Sequence, residues 1–229
     1  MMRISGLQKL TLLDFPERVA CTVFTYGCNF RCPFCHNAGL VVGEQPDEVK
    51  ETDFFAYLDK RKGVLDGVAI TGGEPTLQKD LIPFIKKIKE KGLAVKLDTN
   101  GARPDVVKTI LDENLVDYFA MDVKNRPEKY AATAGVSVDL DAIRETISLL
   151  ITRAPEYEFR TTVVKGFHEK GDFIAIGEMI KGAKKYFLQK FTDSGAILGT
   201  GVGPCSDEEM AAFAEEARLL VPATEVRGK

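Results

Sequence analysis

Residues 19–37 read VACTVFTYGCNFRCPFCHN. The first six are apolar or β-branched with no regular polar alternation, which is typical of a buried strand in a parallel sheet. This run leads to Cys28, Cys32 and Cys35, which lie within eight residues of one another. The segment therefore predicts a parallel α/β fold whose first strand ends at a loop of three thiols.

The three cysteines indicate a soft metal centre. Three thiolates leave one iron of a four-iron cluster without a protein ligand. A zinc site would need a fourth ligand, such as His36, Cys21 or Cys205, but structural zinc sites usually combine two Cys-x-x-Cys knuckles or a histidine pair. This chain has one knuckle. The odd number of cysteines, five in all, and the lack of a secretory signal also disfavour a disulfide framework.

Strand-like segments alternate with amphipathic helices along the chain. In the clearest helix Leu81, Phe84, Ile85 and Ile88 share one face, and Gly92 follows as a stop signal. A last helix opens with the capping-box pattern SDEE at residues 206–209, whereas residues 125–139 predict a loop or short helix. The predicted strands span residues 19–24, 67–71, 94–98, 118–123, 158–164 and 187–191.

The number of repeating units decides between the architectures of this class. Six βα units are too few for a closed eight-stranded barrel, so we predict an α/β fold that forms a partial (β/α)6 TIM-like barrel. No repeat, low-complexity tract or long linker separates a second domain. We expect a single domain over residues 1–229, with its core at about 17–192 and a C-terminal flap and helix at about 193–229.

Composition narrows the classes of function. Of 229 residues, 45% are hydrophobic and 28% are charged, with a formal net charge of -3. This balance argues against nucleic-acid binding as the main function. No apolar run approaches the roughly 20 residues of a membrane span, and residues 1–6 lack the apolar core of a signal peptide. We therefore expect a cytoplasmic protein with neither a membrane nor a nucleic-acid partner.

Polar or glycine-rich residues follow the first four predicted strands directly. In parallel α/β folds the carboxyl ends of the strands meet at one rim, where ligands bind. Residues that are distant in sequence can therefore line one site. The residues at these strand ends are Cys28, Cys32, Cys35, Gly72, Gly73, Glu74, Asp98, Thr99, Asp122 and Lys124.

Two motifs at this rim resemble those of a known superfamily. The spacing Cys-x3-Cys-x2-Cys, with Phe34 before its last cysteine, resembles the signature of the radical S-adenosylmethionine (SAM) enzymes. The run Gly72-Gly73-Glu74-Pro75 resembles their second motif. The resemblance extends from about residue 7 to about residue 166 and implies a partial barrel of the radical SAM type.

Further segments narrow the resemblance to the activases of glycyl radical enzymes. They are His36-Asn37, residues 98–101 (DTNG) and residues 121–124 (MDVK), while residues 10–16 (LTLLDFP) are similar to the branch that activates anaerobic ribonucleoside-triphosphate reductase. The resemblance implies that a reduced [4Fe-4S] cluster cleaves SAM to a 5′-deoxyadenosyl radical, which abstracts a glycine hydrogen from a partner enzyme. It implies two partners, an anaerobic ribonucleotide reductase and an electron donor of the flavodoxin or ferredoxin type.

The resemblance also implies roles for individual residues. The three cysteines would ligate the cluster, Phe34 would support the adenine, and Glu74 would oppose the amino group of SAM. The two glycines would let the backbone approach a ligand closely, although a plain turn also uses a glycine pair. The implied cofactor-binding residues are Phe34, Asn37, Gly72, Gly73, Glu74, Asp98, Asn100, Lys124 and Arg160.

Asp98 and Asp122 permit two interpretations. The resemblance implies that both carboxylates, the carbonyl of Thr99 and a carbonyl near Ala120 bind a monovalent cation, K+ or Na+, beside SAM. Alternatively, the two are solvated carboxylates that pair with Lys96 or Lys124.

Arg160 likewise has two interpretations. It resembles a cofactor-facing arginine of the family, and the alternative is a surface ion pair with Glu158 or Glu156.

The chain also departs from the pattern of some activases. It has no cysteine between Cys35 and Cys205, which limits it to one cluster, and residues 187–193 lack the histidine that pyruvate formate-lyase activases carry there. Residues 199–203 (GTGVG) predict a flexible flap rather than a phosphate loop.

Two other functions stay open at this point. One is radical chemistry on a small molecule, as in a deazapurine-forming synthase. The other is a zinc or iron-sulfur binding module without turnover. Anaerobic reconstitution with SAM and dithionite separates them, because an activase leaves a radical on a partner, a synthase makes a product, and a binding module cleaves no SAM.

Overall fold

The computed structural model describes residues 2–42, 49–193, 195 and 197–228. In these ranges eight strands form one sheet, and their order in space is their order along the chain. β1 is antiparallel to β2, and every later pair of neighbours is parallel. The strands are β1 (Ile4–Thr11), β2 (Ala20–Thr25), β3 (Gly67–Gly72), β4 (Ala94–Thr99), β5 (Tyr118–Asp122), β6 (Tyr157–Val163), β7 (Tyr186–Lys190) and β8 (Thr224–Arg227).

The sheet curls into a partial barrel. Gln8 on β1 and Arg227 on β8 belong to opposite edges of the sheet, yet both line one internal cavity of about 670 Å³. The predicted TIM-like architecture is therefore confirmed, and each predicted strand is present with bounds that differ by at most one residue. The edge strands β1 and β8 were not predicted. Their sequences, ISGLQKLT and TEVR, carry little apolar pattern, and each strand is held by hydrogen bonds to one neighbour.

Helices follow most of the strands. α3 buries the predicted apolar face and ends before Gly92, which adopts a φ of +77°. The predicted capping box is also present, because Ser206 and Glu209 exchange hydrogen bonds at the start of α8. The segment 125–139 contains α5. The helices are α1 (Ala38–Val41), α2 (Glu51–Lys60), α3 (Leu81–Glu90), α4 (Pro104–Asp112), α5 (Pro127–Ala134), α6 (Leu140–Arg153), α7 (Asp172–Met179) and α8 (Asp207–Arg218), and a 3-10 turn spans Pro75–Leu77.

The two faces of the sheet differ in chemistry. Val68, Val95 and Ile85 of α3 belong to the main apolar core, whereas the inner face carries buried polar residues such as Lys96 and Glu158. No helix of the described ranges is long and apolar enough to cross a membrane. The segment predicted as a C-terminal flap and helix supplies α8 and also an edge strand, while its residues 194, 196 and 229 lie outside the described residues.

Candidate active site

A cavity of about 200 Å³ lies at the carboxyl ends of β2 to β5, with β6 on one side. Parallel strands deliver their end residues to one rim, so segments distant in sequence meet there. The structure brings all the residues that the sequence assigned to the site to this cavity, and their roles toward a cofactor stay predictions. The cavity is lined by Cys28, Cys32, Phe34, Cys35, Asn37, Gly72, Gly73, Glu74, Asp98, Thr99, Asn100, Asp122, Lys124 and Arg160, among others.

The three thiols surround this space on a compact loop. The sulfur of Cys28 accepts a hydrogen bond from the backbone N–H of Phe30 at 3.3 Å, and the N–H of Cys35 donates to the carbonyl of Cys32 at 3.0 Å. Burial raises the pKa of Cys28 to about 11 and also raises the pKa of Cys32 and of Cys35. A soft metal compensates this burial, because it replaces the thiol protons and supplies positive charge.

The residues considered as a fourth zinc ligand are placed differently. Cys21 is fully buried within β2 and Cys205 is buried before α8, and neither lines the cavity. His36 does line it, with its ring 5.3 Å from that of Phe191. Among the described residues, no three His, Cys, Asp or Glu side chains gather closely enough to hold one metal ion. Cys28, Cys32 and Cys35 line the cavity together, and three thiols are a donor set that suits a cluster offering one iron to each thiolate.

Other parts of the chain fix the cysteine loop. The amide of Asn37 donates to the carbonyl of Gly72 at 3.1 Å, which joins the loop to the second motif. The N–H of Gly199 donates to the carbonyl of Pro33 at 2.7 Å, so the predicted flap contacts the loop directly. Phe34 is buried and packs edge-on against two other phenylalanine rings. This packing holds Phe34 rigidly at the cavity wall.

The glycine pair of the second motif lies against protein backbone. Gly72 has a φ of +116°, and a Cβ there would lie 2.2 Å from the nitrogen of Thr25. A Cβ on Gly73 would lie 2.0 Å from the carbonyl oxygen of Gly27. In the structure both glycines let the second motif pack closely on Thr25 and Gly27, in the segment that leads to the cysteines. Their close approach to a ligand stays a prediction.

Glu74 joins three segments of the rim. Its carboxylate accepts hydrogen bonds from the backbone and hydroxyl of Thr76, from the hydroxyl of Thr99 at 2.8 Å and from the N–H of Asn100 at 2.7 Å. Burial raises its pKa, although these donors favour the charged form. Asn100 in turn donates to Asn29 in the cysteine loop at 2.8 Å. Both oxygens of Glu74 therefore bond to protein donors, and contact with a SAM amino group stays a prediction.

Gly73→Ala should lower the free energy of unfolding by about 1–3 kcal/mol, because the new methyl group overpacks against backbone that cannot move aside. The matched control is Gly39→Ala in α1, where a Cβ meets nothing within 4 Å. That variant should be neutral or slightly stabilised, since alanine favours helix. Urea denaturation measures both values. Equal changes in the two variants would contradict the packing role of Gly73.

Asp98 and Asp122 lie at the ends of β4 and β5 within a network of basic groups. Arg160 bridges them, with Nη1 3.3 Å from Asp98 Oδ2 and Nε 2.9 Å from Asp122 Oδ1. Lys96 pairs with the other oxygen of Asp98, and Lys124 approaches the other oxygen of Asp122 at 3.1 Å. Arg160 is closer to these two carboxylates than to Glu158, the partner in the alternative interpretation, whose carboxylate is 4.0 Å away.

Four groups of this network have pKa values shifted toward their charged forms, lowered for Asp98 and Asp122 and raised for Lys124 and Arg160. Burial opposes ionisation of Asp122, but the positive charges of Arg160 and Lys124 outweigh it and lower its pKa to about 2. Asp98 has a lowered pKa for the same reason, with Arg160 and Lys96 outweighing burial. Every oxygen of the two carboxylates thus has a basic partner. The binding of K+ or Na+ stays a prediction. The pairs of Asp98 with Lys96 and of Asp122 with Lys124, which the alternative interpretation proposed, are present.

One residue at the rim was missed by the sequence interpretation. His168 is 5% exposed, and its Nδ1 accepts a hydrogen bond from the N–H of Val164 at 3.1 Å. Its Nε2–H therefore donates to the carbonyl of Lys124 at 2.9 Å. Burial lowers the pKa of His168, which favours this neutral form. The imidazole fixes the backbone of Lys124, and its position just beyond the fifth predicted strand was the available signal.

Comparison with known proteins identifies the family that this chain matches. The model of the radical SAM superfamily matches residues 22–178. A protein of Methanocaldococcus jannaschii that is named as a glycyl-radical enzyme activating enzyme is 35% identical over 193 residues, which are 82% of this chain and 79% of that protein. A Thermococcus kodakarensis protein named as a GTP 3′,8-cyclase is 30% identical over 150 residues, 63% of this chain and 47% of its own length. A solved domain of pyruvate-formate lyase-activating enzyme from Bacteroides vulgatus superposes with a TM-score of 0.56 at 18% identity, covering 71% of this chain and 99% of that domain, which shows a shared fold.

Proposed function

This chain belongs to the radical SAM superfamily, and we propose that it installs a glycyl radical on a partner enzyme. The observation that carries the proposal is the 35% identity, over 82% of the chain, to a protein named as such an activating enzyme. The architecture supports it, because the rim cavity and the internal cavity share Thr71, Asp98 and Arg160 and so adjoin each other. A substrate in the barrel would therefore lie next to the rim.

Membership of this superfamily implies a [4Fe-4S] cluster and SAM. The residues present fit both groups, with three thiols at the cavity for the cluster and the positive charges of Lys124 and Arg160 for an anionic carboxylate. When bound, the cluster and SAM together supply a carbon-centred radical that removes a hydrogen atom from the substrate.

The side chains around the thiols position groups and exclude water. Phe30 and Phe34 are 3% and 4% exposed and form an apolar wall of the cavity, which keeps solvent from the cysteine loop. Asn100 holds the loop through Asn29 and places its amide 3.8 Å from the sulfur of Cys28. Lys124 is fixed at its backbone by His168 and at its ammonium by Asp122. These contacts hold the side chains of the site in place.

The identity of the partner is part of the proposal. Residues 10–16 resemble the activating proteins of anaerobic ribonucleotide reductase, and we propose that enzyme as the substrate. Leu12 and Leu13 of this segment are 69% and 91% exposed and line the internal cavity, where a loop of the partner would enter. We further propose a flavodoxin or ferredoxin as the electron donor and the cytoplasm as the compartment.

A second candidate is radical chemistry on a small molecule. It is favoured by the 30% identity to a protein named as a GTP 3′,8-cyclase. The internal cavity of about 670 Å³ also has room for a nucleotide-sized substrate. The two candidates share the rim and differ in what enters the barrel.

Anaerobic reconstitution with SAM and dithionite, with and without an anaerobic ribonucleotide reductase, tests the proposal. We expect a glycyl EPR doublet on the reductase, formed in step with 5′-deoxyadenosine and absent with the Cys28→Ala variant. Cleavage of SAM without a radical on the partner, together with consumption of a purine nucleotide, would favour the second candidate. An intact cluster that cleaves no SAM under any of these conditions would overturn both.

A further inference from the structure

Lys96 is a buried charge with no part in the roles proposed for the cluster and SAM. It lies on the inner face of β4, 3% exposed, two residues before Asp98 and therefore on the same side of the strand. Its ammonium forms an ion pair with Oδ1 of Asp98. The strands on either side place Ala69 and Tyr118 opposite it, and the hydroxyl of Tyr118 bonds to Glu158.

The position of this lysine changes the charge balance of the predicted cation site. All four oxygens of Asp98 and Asp122 have a basic partner, and Lys96 supplies one of these contacts. Together with Arg160 and Lys124 it places a positive group at every one of these oxygens. A further cation at these carboxylates would meet like charge in a site of low dielectric constant, where repulsion is strong.

We propose that the ammonium of Lys96 is a built-in counter-ion of Asp98 and takes the part that a dissolved K+ or Na+ would have in balancing this site. Lys96 is thus a positioning residue, since it acts through Asp98. The inference rests on the radical SAM site of the proposed function and does not depend on which substrate the radical attacks. It requires the native protein to be indifferent to the choice of monovalent cation.

Removal of the ammonium should create a cation requirement. In Lys96→Met the side chain keeps its length but loses its charge, and Asp98 keeps only its share of Arg160. A small monovalent cation can then stabilise the folded state by binding beside Asp98. The choline ion is too large for an oxygen-lined position, so it serves as the comparison ion at equal ionic strength.

Thermal unfolding of the cluster-free protein gives the first measurement. We expect the midpoint of native protein to agree within about 1 °C between KCl and choline chloride, and that of Lys96→Met to be at least about 3 °C higher in KCl. The control is Lys89→Met, which removes a lysine whose ion pair with Asp117 is half-exposed. That variant should show no difference between the salts.

SAM cleavage by the reconstituted protein gives the second measurement, and it needs no partner enzyme. We expect native turnover to differ less than twofold between the salts and Lys96→Met to be about tenfold faster in KCl. A native protein that K+ activates severalfold would overturn the proposal, even if Lys96→Met failed to fold. A folded Lys96→Met variant as indifferent to K+ as the native protein would overturn it as well.

Discussion

Cys32→Ala is expected to abolish both the reducible [4Fe-4S] spectrum and the cleavage of SAM. Each thiolate of such a cluster binds a different iron, so the loss of one thiolate removes an anchor that its neighbours cannot supply. Cys32 is 8% exposed, which leaves little access for a replacement ligand from solvent. Absorption and EPR spectra after anaerobic reconstitution measure the cluster, and 5′-deoxyadenosine measures the cleavage.

The matched control is Cys205→Ala. Cys205 is 3% exposed, precedes α8 and does not line the cavity, so this variant should keep the spectrum and the activity nearly unchanged. Equal loss in both variants would contradict the assignment of the cluster to Cys28, Cys32 and Cys35. Stoichiometric zinc and no iron in the reconstituted native protein would instead favour the zinc interpretation.

Strands β2 to β7 were predictable because each is a short apolar run followed by an amphipathic helix or a loop. The end of every such strand falls at the same rim, so the sequence also predicted which residues meet there. Strands β1 and β8 escaped prediction for a physical reason. Residues 8–10 of β1 are exposed and β8 has four residues, so pairing with β2 and β7, rather than hydrophobic pattern, holds them in the sheet.

The sequence predicted which residues lie at the rim better than it predicted the contacts that they make with one another. A Gly-Gly-Glu run indicates close backbone approach and a buried acid, but the sequence does not say what approaches. In the structure Gly73 packs on Gly27, and Glu74 bonds to Thr99 and Asn100. These partners come from neighbouring strand ends, and their distances depend on the twist of the sheet, which local pattern does not encode.

The ion pairs of Asp98 and Asp122 were also only partly predictable from the sequence. The sequence placed Asp98 and Asp122 together and named Lys96 and Lys124 as alternative partners. It could not show that Arg160 bridges both carboxylates, because that contact requires β6 to present its side chain across β5. This bridge joins three strands at the centre of the site, and it is the contact whose loss should cost most.

Arg160→Met is expected to lower the free energy of unfolding by about 3–5 kcal/mol and to abolish SAM cleavage. Its guanidinium is 13% exposed, and its removal leaves two carboxylates with only Lys96 and Lys124 to compensate them. The control is Arg153→Met, which breaks an exposed ion pair with Asp112 and should leave the free energy of unfolding nearly unchanged. Urea denaturation measures both losses.

The pH dependence of this loss separates charge from packing. Arg160 helps to hold the pKa of Asp122 at about 2, below the value of 3.8 that is usual for the free side chain. A lowered pKa in the folded protein contributes stability at pH values above the pKa of the unfolded chain, and this contribution disappears as the pH falls from about 4 to about 2.

Without Arg160 the pKa of Asp122 should rise toward its ordinary value, so the variant has less of this stability to lose. The difference between native protein and Arg160→Met should therefore be largest near neutral pH and should shrink below about pH 4. A difference that stays constant down to about pH 3 would mean that Arg160 stabilises the barrel through the packing of its side chain and not through its charge.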